Sequence, residues 1–359
     1  MPWNIILIVL GIILFILCVV YIFRAIQTWN RDKPNPIHVK PLRNTAIISA
    51  ILSALSILSG LLIPVPTQCT YAQRIHNYSD PFQCVPGTIT IGGSTALKQL
   101  VTTAAQNYHN RCPSATINFG SKQGSIQGLQ DAEKGYVDIG TSDVIAPSSP
   151  EYADLVDHPI AASVFVMIVN PSVHIENLSI SQIQNIYNGT YTNWNELNLP
   201  PQLIVPYTRD ANSGSWATFA QYVLLGQSDN ARPAPTATPD STTTQSSSGN
   251  TTQDMINAVE NTPGAIGYAA SSNSVVEANA RRINIVNIDN YSPHLDLASG
   301  KYRFWNIEHM YTKSNHTTPL TTAFINYMSN ESEIGSLIIS QGYIPLSGIV
   351  GLLNDHCPI

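Results

Sequence analysis

Two stretches of this chain hold no charged residue, Ile5 to Phe23 and Thr45 to Ile63. Each is long enough, at helical rise, to cross roughly 30 Å of hydrocarbon. The pattern therefore predicts a membrane anchor over residues 1–68, with spans at about 4–23 and 45–64. The connector 24–43 carries Arg24, Arg31, Lys33, Lys40 and Arg43 against Asp32 alone. By the positive-inside tendency it faces the cytoplasm, which leaves everything after Pro64 outside. A cleaved signal peptide fits the first span poorly, because no Lys or Arg precedes it and no small-residue cleavage site follows before Arg24. Along the second span Ser49, Ser53, Ser56 and Gly60 form a stripe of small residues suited to close packing against the first.

After a tether at 69–86 the pattern changes. Thr88 to Ile91 alternates like a strand, and Thr95 to His109 places Leu97, Leu100, Val101 and Ala104 at helical spacing. A second strand follows at Thr116 to Phe119, a second helix at Ser125 to Lys134 and a third strand from Tyr136, ending near Asp143. This alternation implies an α/β fold with a parallel sheet and right-handed crossovers. Ligands then sit beyond the carboxyl ends of the strands, where Ser94, Thr95, Ser121 and Asp143 fall. The apolar run Ala161 to Val169 opens another unit, with a helix at Ser179 to Tyr187 and a strand from Leu203 leading to Arg209. Residues 227–252 are rich in Thr, Ser and Pro and read as a mobile surface insertion. Helices are expected again around Asp254–Glu260, 317–329 and 331–341.

Charge narrows the partners. Residues 1–68 hold five cations against one carboxylate, so of the formal charge of −6 the remainder carries −10. An exterior part this acidic excludes nucleic-acid binding through a basic field. Cys18 lies in the first span; Cys69, Cys84, Cys112 and Cys357 remain, an even number in a compartment read as oxidising. Of the three pairings open to them, Cys69–Cys84 with Cys112–Cys357 is the expected one. Zinc is disfavoured, since neither these cysteines nor the 9 histidines show metal-ligand spacing.

The densest chemistry lies at Arg209-Asp-Ala-Asn-Ser213-Gly214-Ser215. It places a guanidinium fork four residues ahead of a Ser-Gly-Ser turn that enters a helical pattern. Amide hydrogens at such a turn lack internal partners and favour anions, and the fork matches two oxygens of an oxyanion. Gly92-Gly93-Ser94-Thr95-Ala96 repeats the arrangement earlier in the chain.

Five segments in order carry a resemblance: Gly93 to Ala96, Val137 to Asp143, Ile186 to Asn195, Arg209 to Ser215 and Pro263 to Tyr268. From about Gly87 to Ile344 the chain resembles the phosphate-binding (PstS-type) branch of periplasmic solute-binding proteins. The resemblance implies a two-lobed periplasmic-binding-protein-like (type II) fold behind the transmembrane hairpin. Lobe 1 would comprise 87–163 and 268–359 and lobe 2 164–267, with crossovers near Ala161–Val169 and Ala265–Tyr268. It also implies the ligand set: Ser94, Thr95 and Ala96 on one side, Arg209, Ser213, Gly214 and Ser215 on the other. The spacing of Gly120 to Ser125 departs from the family's. Ser121 is preferred there as the hydroxyl ligand, with Ser125 as its alternative. Asp210 follows Arg209 directly, another departure, which puts its role in holding the guanidinium in doubt.

Asp143 would define the ligand. A carboxylate only accepts hydrogen bonds, so it repels sulfate yet accepts the proton of HPO₄²⁻ or H₂PO₄⁻. Leaving it unpaired costs several kcal/mol, roughly 10²–10⁴ in affinity.

These expectations describe a membrane-tethered extracytoplasmic receptor that captures inorganic phosphate for an ABC importer and its permease, without a cofactor. A sensor using the same lobes would need a partner for its output, because only the 24–43 connector lies inside. A hydrolase is disfavoured: no G-x-S-x-G elbow, Walker-type loop or paired His/Asp metal cluster occurs.

Overall fold

The computed structural model describes residues 81–235, 251–293 and 295–353, all within one compact unit spanning Thr70–Pro358. The two expected spans, most of the tether, Cys69, Cys357 and residues 236–250 of the expected insertion lie outside the described residues. Among the described residues no helix is long and apolar enough to cross a membrane.

The first elements run β1 (Gly87–Gly93), α1 (Lys98–Arg111), β2 (Ala115–Gln123), α2 (Ser125–Glu133), β3 (Ile139–Ser142) and β4 (Leu155–Val169). The middle of the chain forms β5 (Asn177–Leu178), α3 (Ile180–Tyr187), β6 (Val205–Thr208), α4 (Gly214–Phe219), β7 (Arg232–Pro233), α5 (Thr252–Asn261) and β8 (Ala265–Ala270). It closes with α6 (Ser271–Asn279), β9 (Asn284–Ile288), β10 (Trp305–Lys313), α7 (Pro319–Ser329), α8 (Glu331–Ser340) and β11 (Ile344–Pro345). Strand order is β2-β1-β3-β10-β4-β8-β6-β7. As the alternating pattern requires, β1 is parallel to both β2 and β3.

β4 is the strand on which the architecture turns. Its first part, Leu155 to Val164, pairs antiparallel with β10, and its second, Phe165 to Val169, pairs antiparallel with β8. Every residue from Ile160 to Val169 is buried, which explains why this stretch reads as a continuous apolar run and not as an alternation. β8 leads to β6, the strand that delivers Arg209, while β3 and β1 deliver Asp143 and Ser94. One long strand thus links the half that carries Asp143 and Ser94 to the half that carries Arg209.

Each half has its own core. On the β1 side, Leu100, Val101, Ala104 and Tyr108 of α1 pack with Ile89 and Ile91 and with Leu320, Phe324 and Ile338 of α7 and α8. Tyr108 meets Phe324 edge-on at 5.6 Å between centroids. On the β6 side, Phe219 stacks on Tyr268 with centroids 4.2 Å apart. Trp194 is buried there, its indole N–H donating to Gly264 O at 2.9 Å.

Two expectations need correction. The disulfide joins Cys84 to Cys112, with Cα atoms 5.2 Å apart, in place of Cys69–Cys84 and Cys112–Cys357. The segment before β1 runs alongside α1: the Tyr108 hydroxyl donates to Gln83 O at 2.6 Å, and Phe82 packs on the Tyr108 ring. Cys84 is thereby carried to Cys112 at the end of α1. The expected insertion 227–252 is also too wide. Arg232–Pro233 pairs with β6, and Thr251 caps α5 through a reciprocal Thr251–Asp254 box.

Candidate functional site

Arg209 leaves the end of β6 and is 3% exposed. Its backbone N–H donates to the Tyr268 hydroxyl at 3.1 Å, so the stacked Tyr268–Phe219 pair fixes where the side chain begins. The guanidinium reaches two hydroxyls by long contacts, Thr252 Oγ1 at 3.5 Å and Thr95 Oγ1 at 3.4 Å. Thr95 and Thr252 touch each other as well: their hydroxyl oxygens lie 3.0 Å apart, and the Thr252 N–H donates to Thr95 Oγ1 at 3.2 Å. Burial pulls the Arg209 pKa down from the usual arginine range, and Tyr268, Asp143, Asp210 and Asp254 act against that shift. A guanidinium remains a cation under such a change. The result is a buried guanidinium beside two hydroxyls, with Asp143, Asp210 and Asp254 within electrostatic range.

Asp143, at the end of β3, is 2% exposed. Its backbone N–H donates to Ser125 Oγ at 3.0 Å, and its Oδ2 accepts from the Ser215 hydroxyl at 3.2 Å. Its other oxygen, Oδ1, is buried without a hydrogen-bond partner. Between Ser125 and Asp143 lies Gly214. A Cβ there would sit 2.4 Å from Ser125 Oγ and 2.7 Å from Asp143 Cβ, so only glycine permits this approach. The Ser213 hydroxyl caps α4 by accepting from Trp216 N–H at 3.3 Å. The Arg209–Ser215 loop and the loop that opens α2 at Ser125 thus meet across Asp143.

The other expected residues divide. Ser94 is buried and accepts from the N–H groups of Ala96 and Leu97, both at 3.1 Å, so its hydroxyl shapes the turn into α1 and occupies the Ala96 amide. Ser125, the alternative hydroxyl, is in the cluster. Ser121 lies in the edge strand β2; its side chain is outside the described set. Asp210 is turned to its own loop, accepting from Asn212 N–H at 2.9 Å.

Two residues escaped the sequence reading. Thr252 was hidden in the Thr/Ser-rich stretch, although the Thr-x-x-Asp capping box at Thr251–Asp254 marks a helix start there. Glu308 belongs to no motif. It is fully buried in β10 with Asp143, Ser163 and Ser94 around it, yet neither carboxyl oxygen makes a hydrogen bond of ordinary geometry. Burial pushes its carboxyl well above the usual range, and the charge of Asp143 adds to the effect.

Beside the cluster a polar cleft of about 480 Å³ runs along the first turns of α1 and α5, lined among others by Thr95, Lys98, Gln123, Thr252 and Asp254. Thr95 and Thr252 belong to both, so the cleft adjoins the buried cluster and does not contain it.

Comparison with known proteins follows the same outline. A family model described as a PBP superfamily domain matches residues 79–331. The phosphate-binding protein PstS of Bacillus subtilis (strain 168) is 34% identical over 264 residues, which is 73% of this chain and 81% of that protein. The PstS of Borreliella burgdorferi is 22% identical over 71% of this chain and 89% of its own. In fold, the chain is similar to a substrate-binding protein assigned to phosphate ABC transport from Clostridium perfringens, solved with bound phosphate. That likeness has a TM-score of 0.62 at 20% identity, over 72% of this chain and 99% of that one. An ABC-type phosphate transport receptor from Vibrio cholerae is similar at a TM-score of 0.53 and 22% identity, over 72% of this chain and 100% of that one. The matched region and the 34% identity establish the family: the chain belongs to the PBP superfamily and, within it, to the PstS-type phosphate-binding proteins.

Proposed function

We propose that this chain is a membrane-tethered, extracytoplasmic solute-binding protein that captures inorganic phosphate and hands it to an ABC-type permease. One observation carries the ligand: a buried guanidinium beside the Thr95 and Thr252 hydroxyls lies within electrostatic reach of a buried carboxylate held by Ser215. Arg209 favours an anion, and Asp143 accepts only a proton-bearing group. Phosphate satisfies both at once, whereas sulfate offers Asp143 nothing to accept. The relatives named for phosphate binding support the same choice.

Capture needs no bond making. Binding draws on desolvated hydroxyls and one charge, and the two halves joined through β4 can close on the anion by population shift. No turnover is expected. Anchoring by residues 1–68 rests on the two uncharged stretches and the cationic connector between them.

Isothermal titration calorimetry on the full chain tests the reading. Phosphate is expected to bind at least about 10²-fold more tightly than sulfate. Equal affinities would remove the role given to Asp143, and absence of phosphate binding would remove the function.

A further inference from the structure

We propose that Glu308 and Asp143 act as a carboxyl–carboxylate pair in which Glu308 is a positioning residue: it lends Asp143 a hydrogen bond and so sets the site's preference for an anion that carries a proton. The inference rests on the phosphate-binding reading and adds a residue to it.

The geometry comes from the sheet. β10 lies between β3 and β4, and its pairing with β4 shifts register between Glu308 and His309. His309 opposes Ser142, so Glu308 stands next to the position of Asp143. The neighbouring His309 is directed elsewhere, with Nδ1 2.7 Å from Asp157 Oδ1. The titratable groups facing Glu308 are Asp143 from β3 and Tyr343 from the turn after α8. The Ser94 hydroxyl from β1 and the Ser163 hydroxyl from β4 complete its surroundings. Tyr343 is itself engaged, donating to Ala96 O.

Four buried oxygens in this one spot have no hydrogen-bond partner: Asp143 Oδ1, Ser163 Oγ and both oxygens of Glu308. An unpaired buried acceptor is destabilising, and two ionised carboxylates side by side would be more so. One proton on the pair relieves both. Arg209 exerts its charge on Asp143, and Ser215 donates to it; neither helps Glu308. The proton therefore belongs on Glu308, whose burial favours the neutral acid. Its O–H donates to Asp143, which keeps Asp143 an acceptor aimed at a ligand P–OH.

A purely structural Glu308 would serve as well if it were uncharged and of the same shape at any pH. The pH profile separates the two cases. Phosphate affinity of the full chain is measured by calorimetry from pH 6 to pH 10 for the unmodified protein, Glu308→Gln and Asp143→Asn, with thermal melts alongside.

Glutamine donates at every pH, so the ratio of the Glu308→Gln affinity to the unmodified affinity should rise at least about tenfold across that range. Phosphate's own titration cancels in the ratio. In Asp143→Asn the negative neighbour is gone, so Glu308 gives up its proton more readily and the alkaline loss should move to lower pH. A constant ratio for Glu308→Gln, with the protein folded and binding, overturns the pair and leaves the phosphate reading standing. An unmodified chain that binds no phosphate overturns both.

Discussion

The Ser215 hydroxyl donates to Asp143 Oδ2 at 3.2 Å, joining the turn after β6 to the end of β3 through a buried carboxylate. Asp143 is also held by its own N–H on Ser125 Oγ at 3.0 Å. A group fixed from two sides and hidden from water cannot turn away from a ligand that offers no proton. Asp143→Asn keeps the shape and supplies a donor. The preference for phosphate over sulfate should therefore shrink by about 10²-fold, mainly through tighter sulfate binding. Competition calorimetry with the two anions measures the ratio directly. An unchanged preference would show that Asp143 does not discriminate.

Arg209 supplies the positive charge from a 3% exposed position, with contacts to both Thr95 and Thr252. Removing a buried partner of a bound charge costs about 2–5 kcal/mol. Arg209→Ala should lower phosphate affinity by at least about 30-fold. Arg209→Lys should fall well short of rescue, because one ammonium cannot reach both threonines as the planar fork does. Full affinity in the lysine variant would reduce Arg209 to a point charge.

The legible and illegible parts of this molecule divide along physical lines. β1, α1, α2 and β4 could be read because burial on one face or on both leaves a periodic trace, as with Leu100, Val101 and Ala104 in α1. Arg209, Ser213, Gly214 and Ser215 were visible because they lie in one short segment. Thr252 was lost because one useful hydroxyl at the end of a Thr/Ser-rich run looks like the rest of that run. Glu308 was lost for a different reason: its neighbours Asp143, Ser163 and Ser94 come from three other strands or strand ends, and no local pattern records such a meeting. The cysteines show the same limit, since Cys84 meets Cys112 through the path of Phe82 and Gln83 over Tyr108.

Gly214 tests whether the two loops must come together. The Cβ of alanine would fall 2.4 Å from Ser125 Oγ and 2.7 Å from Asp143 Cβ. Gly214→Ala should hold the loops apart and weaken phosphate binding by at least about tenfold, a loss of about 1.4 kcal/mol. The melting temperature of the unliganded protein should move far less, because the strain is relieved by separating the loops. Undiminished affinity would mean that the approach seen here is not needed for binding.

The Cys84–Cys112 bond closes a sequence separation of 28 residues at the foot of α1. A loop of that order stabilises by about 2–4 kcal/mol, chiefly by restricting the unfolded chain. Replacing both cysteines with alanine should lower the denaturant midpoint accordingly and leave phosphate affinity nearly untouched, as the bond lies apart from Arg209 and Asp143 along the fold. A large loss of affinity with little loss of stability would reverse that assignment.

Glu308 makes a prediction about stability that needs no ligand. Burial raises its carboxyl well above the usual range, with the charge of Asp143 adding to the effect. The folded chain therefore holds a proton that the unfolded chain releases near the ordinary glutamate value of about 4.3. Where the folded state binds more protons, stability falls as pH rises. The contribution is fully present below about pH 4.3 and is lost progressively until the buried group itself ionises. The slope from this residue is at most about 1.4 kcal/mol per pH unit. Glu308→Gln has no proton to lose, so its denaturant midpoint should decline less steeply from pH 5 to pH 9. The two proteins should diverge toward the alkaline end, where glutamine becomes the more stable side chain. Parallel midpoints across that range would place the proton on another member of the cluster.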